Sequence, residues 1–126
     1  MSYTNISNLG TTQSEILKGL DFYKDEIRLM EIRLVEVAAK NNQFEARQGI
    51  EHFESQFLIQ RNNIGQLRHR INEYNHEAAS DAAMHQGRIK KELLSRQEIL
   101  QQEYKAIEKV ISELTHEFRR FLSKWM

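Results

Sequence analysis

Proline occurs nowhere in the 126-residue sequence, and that absence narrows the fold more than any other feature. Turns and sheet edges ordinarily use proline, whereas the interior of a long helix excludes it, because the ring removes a backbone donor and clashes with the preceding turn. The expectation is a chain that is almost entirely helical. Apolar spacing points the same way. Ile16, Leu20, Tyr23, Ile27, Met30, Leu34 and Val37 follow one another at alternating intervals of four and three, which lines them up on one helical face and does not fit the two-residue period of a strand. Thr12 and Glu15 stand at capping-box spacing ahead of this seam. The first helix is therefore predicted over about 12–40, with a flexible arm at 1–11 before it.

A second seam runs through Ala46, Ile50, Phe53, Phe57, Gln60, Ile64, Leu67, Ile71, Tyr74 and Ala78. From Val37 to Ala46 the helical phase advances by roughly half a turn, so one continuous helix would point its two seams in opposite directions. Chain reversal at Asn41 and Asn42 removes the conflict, with Asn42 and Glu45 as cap candidates and a second helix over about 43–78. The third seam is Ile89, Leu93, Arg96, Leu100, Tyr104, Ile107, Ile111, Leu114, Phe118, Phe121 and Trp125, with one stutter near Leu100. It predicts a third helix over about 82–124, capped by Ser80 or Asp81. The break before it is marked only by a thinning of large apolar residues between Asn75 and Arg88, and the alanines there also suit an uninterrupted helix from Asn42 onward.

These elements make one all-α domain over residues 1–126, an antiparallel three-helix bundle of the spectrin-like coiled-coil kind, with long helices. No family signature, internal repeat or low-complexity tract accompanies them. Folding the chain at the two expected turns brings Tyr23, Gln60 and Arg96 to one level near mid-rod. Such a polar layer fixes register, as buried polar seam residues do; its other reading is a small-ligand pocket.

Composition excludes several function classes. Eighteen basic residues balance eighteen acidic ones, so no net field draws nucleic acid or anionic lipid to the chain. With no cysteine there is no thiolate catalysis, disulfide or cysteine-type zinc site. The segment 1–11 lacks the basic start and apolar run of a secretory leader, and no stretch approaches the roughly 20 apolar residues of a membrane span. A cytoplasmic setting is the simplest expectation.

Chemistry-bearing motifs are sparse. His69, Glu73 and His76 project from one face of the second helix, and Glu73 with His76 forms the Glu-x-x-His element used by di-iron bundles. The trio points away from its seam, which describes a solvated face; a metal- or small-ligand-binding bundle stands as the alternative function. Gly10, Gly19, Gly49, Gly65 and Gly87 are scattered singly, so they form no phosphate cradle, and the serines lack a nucleophile elbow. The chain is expected to be no enzyme and to need no cofactor.

Two features suggest association instead. Phe22, Leu29 and Ile32 lie off the main seam of the first helix, which makes that helix apolar nearly all round, as in helices that are enclosed. At the C-terminus Phe118, Phe121 and Trp125 continue the third seam among Arg119, Arg120 and Lys124. Phe121 and Trp125 are expected to cap the bundle end or to join Phe22, Leu29 and Ile32 at a contact with a second subunit. The functional expectation is a non-catalytic interaction or spacer module, acting as a homodimer or on another protein, without nucleic acid or a membrane span.

Overall fold

A computed structural model describes the backbone of residues 3–85 and 88–126 and the side chains of residues 12–85 and 91–126. Among the described residues the order of elements is β1 (Tyr3–Asn5), α1 (Ile6–Lys40), α2 (Phe44–Met84), β2 (Arg88–Lys90) and α3 (Lys91–Trp125). The fold is all-α: three long helices form a bundle in which every pair of helices is in contact. β1 and β2 add a short antiparallel ribbon at one end, pairing Tyr3 with Lys90 and Asn5 with Arg88.

Among the described side chains the seams of α1 and α2 face inward, and so does that of α3 except at Arg96, which is exposed while the neighbouring Gln97 is buried in its place. Ile16, Leu20, Ile27, Leu34 and Val37 of α1 meet Phe53, Phe57, Ile64, Leu67 and Ile71 of α2 and Leu93, Leu100, Ile111, Leu114 and Phe118 of α3 in one continuous core. Ion pairs on the rim report the register. Arg61 to Glu31 at 3.2 Å and Arg68 to Asp21 set α2 antiparallel to α1, while Arg96 to Glu77 at 2.9 Å and Lys124 to Glu45 at 3.0 Å set α3 antiparallel to α2. Being exposed, such pairs contribute at most about 1 kcal/mol each. The stability resides in the seams.

The first turn lies where the phase shift requires it. α1 ends at Lys40, and α2 starts after Gln43, which takes the N-cap position in extended geometry without a side-chain cap. Asn42 and Glu45 therefore do not form the expected cap. Glu45 instead sits in the first turn, where a carboxylate suits the helix dipole, and binds Lys124.

The other boundaries differ from expectation. α1 begins at Ile6 rather than Thr12, so Thr12 and Glu15 are interior to a helix, and the expected arm at 1–11 holds β1 and the first turns of α1. α2 does not stop at 78; it runs to Met84 because Ala78 and Ala82 are both buried and carry the seam onward with small side chains. Ser80 and Asp81 are thus within α2. The helix is closed by His85, whose backbone N–H donates to the Ala82 carbonyl at 3.1 Å. At 41 residues and about 1.5 Å per residue, α2 is a rod of about 60 Å.

Moving the second turn toward the C-terminus slides α3 along the bundle, and the expected mid-rod layer dissolves. Gln60 is buried one residue from Arg61, at the level of Glu31. Tyr23 lies about two turns away along α1 and donates its hydroxyl to Glu108 Oε2 at 3.0 Å. Arg96 pairs with Glu77 and lies 5.6 Å over the Tyr74 ring, about 25 Å along α2 from Gln60 at about 1.5 Å per residue. The three residues occupy three separate levels.

Candidate interaction surface

The inward seam of α1 occupies one side of the helix, and a second, shorter apolar row emerges on the opposite side. Phe22, Leu29 and Ile32 follow heptad spacing with the polar Asp25 and Glu36, and they are 57%, 58% and 51% exposed, with Val35 beside them at 69%. Phe22 is held edge-on to the Tyr23 ring at 5.2 Å, so its ring is steadied from one side and open on the other. α1 has partners on two flanks and none on this third one, because two neighbouring helices cannot enclose a helix that is apolar nearly all round.

Two open grooves border the row. On the α3 side Glu26, Leu29, Ile32, Arg33, Arg119 and Leu122 line a groove of about 450 Å³. On the α2 side Lys24, Arg28, Ile32, Val35 and Arg61 line one of about 470 Å³. Ile32 belongs to both, so it stands on the crest between them. Arg33 is engaged by Glu36 at 3.2 Å, an exposed pair within one helix turn that is readily exchanged for another partner. Other exposed large apolar residues, among them Leu58, Ile59, Ile99 and Val110, are distributed over α2 and α3.

Phe121 and Trp125, expected near the same contact, are half-buried against their own chain. Phe121 packs on Phe53 with ring centroids 5.1 Å apart, and Phe53 and Phe57 each meet Phe118 at 5.2 Å. Trp125 joins the same core end beneath Lys124, whose Nζ is 5.2 Å from the indole centroid. Closing the bundle end uses this aromatic surface.

The histidines are distributed rather than gathered. His69 Nε2 lies 2.8 Å from Glu73 Oε1 on an exposed face, and His52 Nε2 is 3.8 Å from Glu117. Among the described residues no three or more His, Asp or Glu side chains are grouped as a metal ion would need, and His69, Glu73 and His76 are no exception. Nor does any described helix have the length and apolarity to cross a membrane.

Three tyrosines in the helix interfaces have perturbed phenols. Burial pushes Tyr74 up to about 12, reinforced by Glu77 and opposed by Arg96, and its hydroxyl donates to the Leu93 carbonyl oxygen at 2.5 Å. Burial likewise raises Tyr104 to about 12, with the Glu108 carboxylate adding to it, and raises Tyr23 beside the same carboxylate. The Tyr23 and Tyr74 hydroxyls tie α1 and α2 to α3 by hydrogen bonds, while Tyr104 bonds Glu108 of its own helix and packs its ring against Tyr23 of α1.

Sequence reasoning located the apolar row but missed what flanks it. Glu26 and Arg33 were legible as ordinary surface charges; their meaning depends on the α1–α3 groove beside them. Gln13, fully buried with neither amide atom hydrogen-bonded among the described residues, was hidden because α1 was expected to start only one residue earlier. No protein family, curated protein or solved structure matches the chain.

Proposed function

We propose that this chain is a non-catalytic helical-bundle protein that works by association, with a second copy of itself as partner. The supporting observation is the exposed row of Phe22, Leu29, Ile32 and Val35 on the one face of α1 that its neighbours leave open. Scattered single apolar residues on a surface need no explanation, but a row at heptad spacing between two grooves is the form that helix pairing requires.

The magnitudes are compatible with reversible pairing. Burying the exposed half of each of these side chains contributes about 1 kcal/mol, or about 8 kcal/mol for the two copies together. Loss of rigid-body freedom costs about 4 to 15 kcal/mol. The apolar row alone therefore comes near break-even, and groups along its rim decide whether and how two copies pair. A two-fold dimer is the economical outcome, because one surface then serves both partners.

Light scattering at micromolar concentration tests the proposal. The native chain of 15.0 kDa should have twice that mass, and the double variant Leu29→Glu, Ile32→Glu should return to one chain while keeping its helical signal. A native chain of single mass at this concentration would overturn it.

A further inference from the structure

The charges beside the apolar row discriminate between the two ways a pair of α1 helices can lie together. Phe22, Leu29 and Glu36 occupy one core position of the heptad, and Asp25, Ile32 and Ala39 the other. The residues that flank this row are Glu26 and Arg33 on the α3 side and, on the α2 side, Arg28 and Val35 with Asp21, which pairs with Arg68 of α2. In a parallel pair each flanking residue meets the opposite flank of its partner five positions on. Asp21 would then face the partner's Glu26, and Arg28 would face the partner's Arg33. Asp25 and Glu36 would each face their own copies. Every charged juxtaposition is like with like, which is a strong bar to that orientation.

An antiparallel pair matches each flank with itself. When Leu29 meets the partner's Ile32 at the two-fold axis, Phe22 falls opposite the partner's Ala39, and Glu26 falls opposite the partner's Arg33. The axis repeats each of these contacts. On the α2 side Arg28 meets the uncharged Val35 of the partner. One acidic encounter remains on each side of the axis, Asp25 opposite the partner's Glu36, and it works against the pairing once Arg33 turns from Glu36 to the partner's Glu26.

We infer that this protein forms an antiparallel two-fold dimer through α1, in which Leu29 and Ile32 make the apolar centre and Glu26 and Arg33 pair reciprocally between the copies. The inference rests on the association reading above and adds its geometry. Complementary charge along the rim, present in only one of the two orientations, is what commits the surface to a second copy of this chain. Each copy brings its α1–α3 groove to the same face of the helix pair, one on either side of the axis, so the two grooves meet around the two Glu26–Arg33 pairs.

Two measurements on the full chain test it. The protein has no cysteine, so single cysteines introduced at exposed positions of α1 report contacts without interference. Chains carrying Phe22→Cys and Ala39→Cys, mixed and oxidised, should give the mixed disulfide in preference to either homodisulfide. Glu26→Lys or Arg33→Glu alone should weaken dimerisation at least tenfold, and the two together should restore it to within about threefold, because the reciprocal pair is rebuilt with its signs exchanged. Preferential crosslinking of Phe22→Cys to itself, or a double variant no better than the singles, overturns the antiparallel geometry while native dimer mass leaves the association reading standing. A native chain of single mass overturns both.

Discussion

The side-chain amide of Asn41 donates to the carbonyl oxygen of Trp125 at 2.8 Å, so the turn between α1 and α2 is fastened to the last turn of α3. The same amide donates to the Val37 carbonyl oxygen at 3.0 Å, which also accepts the Asn41 backbone N–H at 3.1 Å, whereas Trp125, the last residue of α3, has an end-of-helix carbonyl with no later helical N–H to accept from. One residue thus closes the ends of two parallel helices. Replacing it, Asn41→Ala, is expected to cost about 1 to 3 kcal/mol, from two hydrogen bonds worth about 0.5 to 1.5 kcal/mol each. Chemical denaturation should show a lower midpoint with an unchanged slope. An unchanged midpoint would mean that the clamp contributes nothing net.

Glycine positions separate packing from propensity. A methyl group at Gly49 would run into the Phe121 ring, itself held by Phe53 and Phe118, whereas at Gly65 nothing lies within 4 Å. Gly65→Ala should stabilise the protein by about 0.5 to 1 kcal/mol through helix propensity. Gly49→Ala should destabilise it, because the aromatic end must shift by more than the propensity gain returns. Thermal melts of the two variants should move in opposite directions.

Much of this fold can be read from the residues because large apolar side chains mark the seams and the half-turn phase shift between Val37 and Ala46 marks the first reversal. The second reversal was misplaced for a physical reason: Ala78 and Ala82 bury as completely as the leucines do but carry little hydropathy. Each residue of error in that turn displaces the facing residue of α3 by two, which is why Tyr23, Gln60 and Arg96 were expected together. The apolar row of α1 needed no register and was legible directly. Its pairing with the Glu26 and Arg33 rim required knowing which flank each neighbour occupies.

Gln13 is fully buried on α1 with no hydrogen-bond partner for its amide among the described residues. A buried amide left unsatisfied carries its desolvation cost uncompensated. Gln13→Leu is expected to raise stability by on the order of 1 kcal/mol, read as a higher denaturant midpoint. Loss of stability would show that the amide is satisfied in solution.

Alkaline pH should loosen the bundle. Tyr74 and Tyr104 have folded values of about 12 against 10.0 for the free phenol, because burial disfavours the phenolate. The unfolded chain therefore releases these protons first, and the stabilisation, complete below pH 10, is lost as the pH rises through about 12. Melting temperatures measured from pH 8 to 12 should fall over the upper half of that range. The fall should be shallower in the double variant Tyr74→Phe, Tyr104→Phe; an equal fall in both proteins would assign it to other groups.

Association through the exposed row of α1 makes thermal unfolding depend on protein concentration. A folded dimer that unfolds to single chains gains stability by mass action as concentration rises. Across a hundredfold range at and above micromolar concentration, the native melting temperature should climb by several degrees, while that of Leu29→Glu, Ile32→Glu should stay flat. A native melting temperature that does not move over the same range would rule out association through this row.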